Sequence, residues 1–278
     1  MHRTAAIVVL AGAFLAGPAA GQGADWSLCG PAAPEDWDRA IAACSRLVAS
    51  GSLKSAERAT AHVNRGTAYL RKGEADRAIA DLTAALRLEP GDVVALNRRG
   101  EAYGAKADFT RAIADFSEAV RLNPRYPLAF RNRARIHFYR GNFDAAAEDF
   151  RFAEQADPGN GYSLLWRYVA EARSGVVDRA GLFKGASLVR EGWPKPLVLH
   201  FLGNLGEAEM LAAAAADPAQ RQEQECEAQF FLGQKHILAS ANDAEVALLK
   251  QALALCPRHM VEHHATRVEL RRLGVAAP

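Results

Sequence analysis

The stretch "NRGTAYLRKGEADRAIADLTAALRLEP", Asn64 to Pro90, decides how the chain is organised. It reads as two helices separated by the polar turn "KGEAD", with a proline that stops the second helix. Small residues, Gly66, Ala78 and Ala85, fall where two antiparallel helices would approach closely, and Tyr69 and Leu82 fill the space between them.

The same pattern returns twice, in register, every 34 residues: the segments run Ala59 to Asp92, Val93 to Tyr126 and Pro127 to Asn160. The second carries Gly100, Tyr103, Ala112, Phe116, Ala119 and Pro124 at equivalent positions, and the third Ala134, His137, Ala146, Phe150, Ala153 and Pro158. Period and residue types resemble the tetratricopeptide repeat (TPR), a helix-turn-helix unit. The resemblance implies an all-α TPR solenoid, in which each hairpin buries its apolar face against the next.

Outward from this array the pattern loosens. Residues 22–58 read as an N-terminal capping half-repeat, "PEDWDRAIAACSRLVASG", a second repeat helix without its partner. Residues 161–225 read as an irregular helical connector with a degenerate repeat, broken by Pro194, Pro196 and "GNLG". At Cys226 a final repeat returns, with Gly233, His236, Leu249, Ala252 and Pro257 in the expected slots. A C-terminal capping helix, "MVEHHATRVELRRLG", completes residues 226–278.

The first 21 residues differ in kind. His2 and Arg3, then an apolar run from Ala5 to Gly17 and small residues, describe a secretory signal peptide cleaved after Ala19 or Gly21. The run is short of the roughly 20 residues needed to span a bilayer, and no other segment is apolar for long enough, so no membrane span is expected in the mature chain. Cys29 follows Leu28 rather than a small residue, which reads as a soluble exported protein, periplasmic or secreted, rather than a lipoprotein. Export makes the four cysteines disulfide candidates. Four cysteines permit three pairings, among which sequence alone does not choose; proximity favours Cys29 with Cys44 and Cys226 with Cys256. The repeat register places Cys226 at the start of helix A and Cys256 at the end of helix B, side by side in an antiparallel hairpin.

A formal net charge of +2 and no run of Lys and Arg argue against a nucleic-acid partner. One catalytic string stands out: His259, Glu262 and His263 spell H-x-x-E-H, a zinc and general-base signature. Pro257 ends the preceding helix, so His259 falls in or before the first turn of the next and the two imidazoles do not both sit in a helix interior. The expected reading is that of capping-helix residues, with a zinc-dependent hydrolase as the alternative. No other catalytic motif occurs, and neither catalysis nor a cofactor is expected. His62, His137, His200 and His236 read as packing residues. A third reading, binding of cell-wall glycan, would place stacking surfaces at Trp166 and Trp193.

Repeat arrays of this kind present a concave face lined by the first helix of each hairpin. The resemblance places its peptide-binding groove at Val63, Thr67 and Leu70 of the first repeat, Asn97 and Glu101 of the second, and Arg131, Arg135, Phe138 and Tyr139 of the third. The third repeat is the most basic and aromatic, suited to an acidic group or a carboxyl terminus. Further, "WPKPLVLHFLG", "FFLGQKHIL" and "HMVEHHATRVELRRLG" resemble the periplasmic TPR adaptor family of new lipoprotein I. That resemblance implies a homodimer and a non-catalytic scaffold that presents clients to a periplasmic protease or a cell-wall enzyme complex.

Overall fold

A computed structural model describes residues 20–30, 36–239, 244–257 and 260–276, and shows fifteen α-helices and no strand among them. The leader read in residues 1–21 lies, through residue 19, outside the described residues, as does His259. Helix starts follow local chemistry. Asp92 accepts hydrogen bonds from the amides of Val94 and Ala95 at 2.9 and 3.0 Å, and Asp108, Asn160 and Asp178 cap their own helices in the same way.

Three hairpins form the array: α3 (Ser55–Arg71) with α4 (Ala75–Leu88), α5 (Val93–Ala105) with α6 (Phe109–Leu122), and α7 (Pro127–Arg140) with α8 (Phe143–Ala156). Close approach within each is set by a missing or minimal side chain. A Cβ on Gly66 would stand 2.8 Å from Leu82 Cγ, and one on Gly100 2.6 Å from Phe116 Cε1. Each hairpin turns through one left-handed residue: Gly73 at φ 75°, Ala107 at φ 59° and Gly141 at φ 82°. Gly175, at φ 94° and again 34 residues on, keeps the fourth hairpin, α9 (Gly161–Arg173) and α10 (Arg179–Ala186), in phase.

A second periodic device is polar. Arg65 grips Asp81 through two hydrogen bonds of 2.7 Å, Arg99 grips Asp115 at 2.8 Å, and Arg133 grips Asp149 at 2.8 and 2.7 Å, always from helix A to helix B of one repeat. The same guanidinium reaches back to a hydroxyl of the preceding hairpin, Ser45, Thr83 or Ser117, tying neighbouring repeats together. Burial pushes the Asp81 carboxyl up, but hydrogen bonds from Arg65 and His62 outweigh it and hold the group below its ordinary range. Arg167 stands at the fourth position of this series. The acid has become Phe183, and the guanidinium turns to Glu154 and Glu171 instead.

At the N-terminal end the half-repeat has a partner after all. A short helix α1 (Ala20–Cys29) packs on α2 (Trp37–Ala49), and Cys29 and Cys44 are joined in a disulfide buried at their interface. Beyond α9 the connector folds as α10, α11 (Lys195–Leu202) and α12 (Glu207–Ala214). The final hairpin pairs α13 (Arg221–Leu238), which starts five residues before the sequence register placed it, with α14 (Ala244–Leu255). Cys226 and Cys256 are disulfide-bonded across it. The largest core gathers here around Trp166, whose ring lies 5.0 to 5.8 Å from those of Phe138, Phe150, Phe230 and Phe231. The last helix, α15 (Val261–Arg272), buries Ala265 and Leu270 against this core. Among the described residues no helix is long and apolar enough to cross a membrane.

Candidate functional site: the concave face

The first helices of successive repeats, α3, α5 and α7, touch one another, whereas α4, α6 and α8 make no comparable contact with each other. The inside of the curve is therefore the α3–α5–α7 row. Val63 and Asn97 lie buried in it, and Thr67 and Leu70 are half-buried. The Thr67 hydroxyl is spent on the Val63 carbonyl at 2.8 Å.

Across α5 and α7 the polar groups form one network. The Asn97 amide donates to Glu101 at 2.9 Å, the Asn132 amide donates to Asn97 Oδ1 and to Glu101, both at 2.8 Å, and Arg98 donates to Glu101 at 2.9 Å. Glu101 is thus engaged by three donors. Arg135 donates to Asn132 Oδ1. Arg131, one turn earlier and half-buried, has no hydrogen bond or ion pair among the described residues. Burial and the neighbouring Arg135 push its guanidinium down from the ordinary value, although an arginine stays charged. Asn132 was not among the groove positions read from sequence. Its signal was available only as an amide one residue from Arg131, without the cross-helix bond that gives it a role.

The structure corrects the groove at its third repeat. Phe138 is fully buried, its ring edge-on to Phe143 at 5.1 Å and to Trp166 at 5.0 Å, and presents nothing to a ligand. Tyr139 lies under α15: its hydroxyl donates to the Val261 carbonyl at 3.2 Å, and the His264 ring packs 4.8 Å from its own. Burial pushes the Tyr139 phenol up. Arg272 closes the contact, donating to the carbonyls of Phe138 and Tyr139 at the end of α7, at 2.6 and 2.8 Å. The helix placed at the end of the chain as a cap also fills the C-terminal part of the groove, so the open part runs from Val63 to Arg135.

The remaining candidates resolve differently. Cys256 is bonded to Cys226, and among the described residues no three His, Cys, Asp or Glu side chains gather to hold a metal. Glu262 of the peptidase-like string is buried near Glu227. Burial raises both carboxyls, with Arg135 opposing the rise at Glu262. Burial, then the nearby Glu262 charge, pushes Glu227 up to about 8. Glu227 accepts from the Tyr162 hydroxyl at 2.8 Å and from the Trp193 indole. Trp166 is buried, which overturns its assignment as a sugar platform. Trp193 borders a shallow recess of about 450 Å³ with Pro196, Ala213 and Gln220. Of the histidines, His62 pairs with Asp81 at 3.0 Å and His200 bonds the Leu205 carbonyl at 3.0 Å and Lys235 at 2.9 Å, both holding neighbouring elements together. His137 and His236 are half-buried.

A stack of antiparallel helix pairs, close-packed at Gly66 and Gly100 and lined inside by one row of helices, defines a helical-hairpin solenoid. Residues 34–93 and 97–182 match the model of the tetratricopeptide repeat family, more than half of the chain. The chain belongs to that family. In fold it is similar to a tetratricopeptide repeat protein from Parabacteroides merdae, at 15% identity and a TM-score of 0.57 over 90% of this chain and 99% of that one. It is also similar to MamA, at 19% identity and a TM-score of 0.52 over 60% of this chain and 91% of that one. No curated protein matches the chain.

Proposed function

We propose that this chain is an exported, non-catalytic scaffold whose concave face holds an extended segment of a partner protein and anchors a carboxylate of that segment at Arg131 and Arg135. The observation that carries the reading is the state of these two guanidinium groups. Glu101 is engaged by its own neighbours, and among the described residues Arg135 has one hydrogen bond, to an amide oxygen, beside the nearby Glu262, while Arg131 has no partner. A half-buried cation facing a groove is stabilised by an incoming anion, and a guanidinium takes a carboxylate in two parallel bonds. The wall of the groove toward the N-terminus, half-buried Thr67 and Leu70 over the buried Val63, offers apolar and small surface to the flanking residues of such a segment.

Two buried disulfides support folding in an oxidising compartment. The resemblance of the C-terminal half to the adaptor family of new lipoprotein I supports a role in presenting clients to a periplasmic protease or a cell-envelope complex. The test uses synthetic peptides that differ only in acidic content and in a free or amidated C-terminus. The unaltered protein binds those with a carboxylate, and the Arg131→Ala, Arg135→Ala double variant loses binding at least tenfold while its helical signal and melting temperature are kept. Equal binding by the variant overturns the assignment.

A further inference from the structure

The concave face ends at a helix that is not part of the repeat row. α15 packs along α14 and α13 and meets α7 through side chains, by contacts that are polar or aromatic: Arg272 on the α7 carbonyls, Val261 O on the Tyr139 hydroxyl, and His264 between Tyr139 and Phe109, with ring centroids 4.8 and 5.9 Å away. Beyond α7 it is held by Arg173 of α9, which donates to Glu269 at 2.8 Å. Only Ala265 and Leu270 lock it into the apolar core completely. Around the helix, the buried atoms His264 Nε2, Thr266 Oγ1 and Arg267 Nε have no hydrogen-bond partner among the described residues. Repeat helices in this chain are held otherwise, by a close glycine or alanine contact and a two-bond Arg–Asp grip.

We infer that α15 is a displaceable occupant of the groove, and that an amphipathic helix of a partner takes its seat on α7 when α15 lifts. The seat defines the partner's chemistry through the groups that α15 leaves behind. The end carbonyls of α7 call for an arginine or lysine, Tyr139 and Phe109 for an aromatic or imidazole ring about two turns earlier on the same face, and Arg173 for an acid beside the cation. Lifting α15 also uncovers Tyr139 and extends the open groove past Arg135. Helix-in-groove capture then continues the surface that holds the extended segment. This inference rests on the reading of the concave face as the binding face.

Hydrogen exchange of the intact protein gives the first arm of the test. The amides of α15 exchange at least tenfold faster than those of α13, through a local opening rather than through global unfolding. In the second arm a fluorescent peptide of residues 260–276, "MVEHHATRVELRRLGVA", binds the full-length Arg272→Ala variant at least tenfold more tightly than the unaltered chain, whose seat is occupied. The Arg272→Lys variant, which keeps a donor for the α7 carbonyls, stays near the unaltered chain. Exchange of α15 only at the rate of α13 overturns the inference, as does absence of peptide binding to a folded Arg272→Ala variant. Should that variant not fold, the exchange of the intact chain decides alone. Neither arm depends on Arg131, so failure of the carboxylate anchor leaves both readouts standing.

Discussion

Arg133 holds Asp149 through two hydrogen bonds, at 2.8 and 2.7 Å, and reaches the Ser117 hydroxyl of the preceding repeat with its remaining nitrogen at 3.0 Å. One side chain therefore fixes the angle within a hairpin and the contact between hairpins. The Asp149 side chain is 6% exposed and that of Arg133 22%, so a change to either alone strands a poorly solvated charge. Asp149→Ala is expected to cost roughly 2–4 kcal/mol in chemical denaturation, and the double change Arg133→Met, Asp149→Leu less than the sum of the two single ones. Additive costs would show that the pair is not coupled.

Ala107 is the only residue other than glycine with positive φ among the described residues, at a turn where Gly73 and Gly141 serve the neighbouring repeats. An alanine Cβ is strained in the left-handed region, while glycine there loses only chain entropy. Ala107→Gly is expected to raise stability by roughly 0.5–1 kcal/mol, read as a melting point higher by about 1–4 °C. A lower melting point would mean that the turn relaxes around the methyl group.

Glu227 and Glu262 set an alkaline limit on stability. Both carboxyls are raised by burial, Glu227 to about 8, against 4.5 for an ordinary glutamate. Between those values the folded protein binds more protons than the unfolded chain, so stability is full below the lower value and is lost as pH rises toward the upper one. Melting temperature is expected to fall by several degrees between about pH 5 and pH 9, and Glu227→Gln to flatten that fall. A melting temperature that rises over this range in the unaltered protein would contradict the assignment.

The Cys226–Cys256 bridge closes 30 residues around the last hairpin, and both sulfurs are buried. Its loss through Cys226→Ala, Cys256→Ala is expected to lower stability by roughly 3–4 kcal/mol in the chain-entropy model. Since α15 packs on α14, faster proteolysis of the C-terminal helix should accompany the loss. An unchanged cleavage rate would separate the staple from the seating of α15.

Much of the candidate site is visible in the repeat register, because side-chain direction on a helix follows from position within the turn. Val63, Asn97, Glu101, Arg131 and Arg135 do share the α3–α5–α7 row. What register does not convey is which of them are already engaged. Asn132 bridges α7 to Asn97 and Glu101 of α5 through contacts 31 to 35 residues apart, and only the folded chain shows that this leaves Arg131 without a hydrogen bond or ion pair among the described residues. The series Arg65, Arg99, Arg133 and Arg167 is printed in the sequence every 34 residues. Its acids Asp81, Asp115 and Asp149 repeat with it, so the stitch was there to be found.

By itself the sequence determined the local units, the 34-residue helical hairpins and their order, whereas it only favoured the cysteine pairs that the structure joins. Those units rest on interactions between residues close along the chain, where small side chains, caps and turn residues act within one or two helices. Tertiary structure alone decided how far the groove stays open. α15 could be named as a helix from "VEHHATRVELRR", but its seat against Phe109 and Tyr139 depends on how four hairpins and an irregular connector bring residue 264 back to residue 139. A contact across so many residues is fixed by the summed geometry of every packed interface between them, and no short stretch of sequence encodes it.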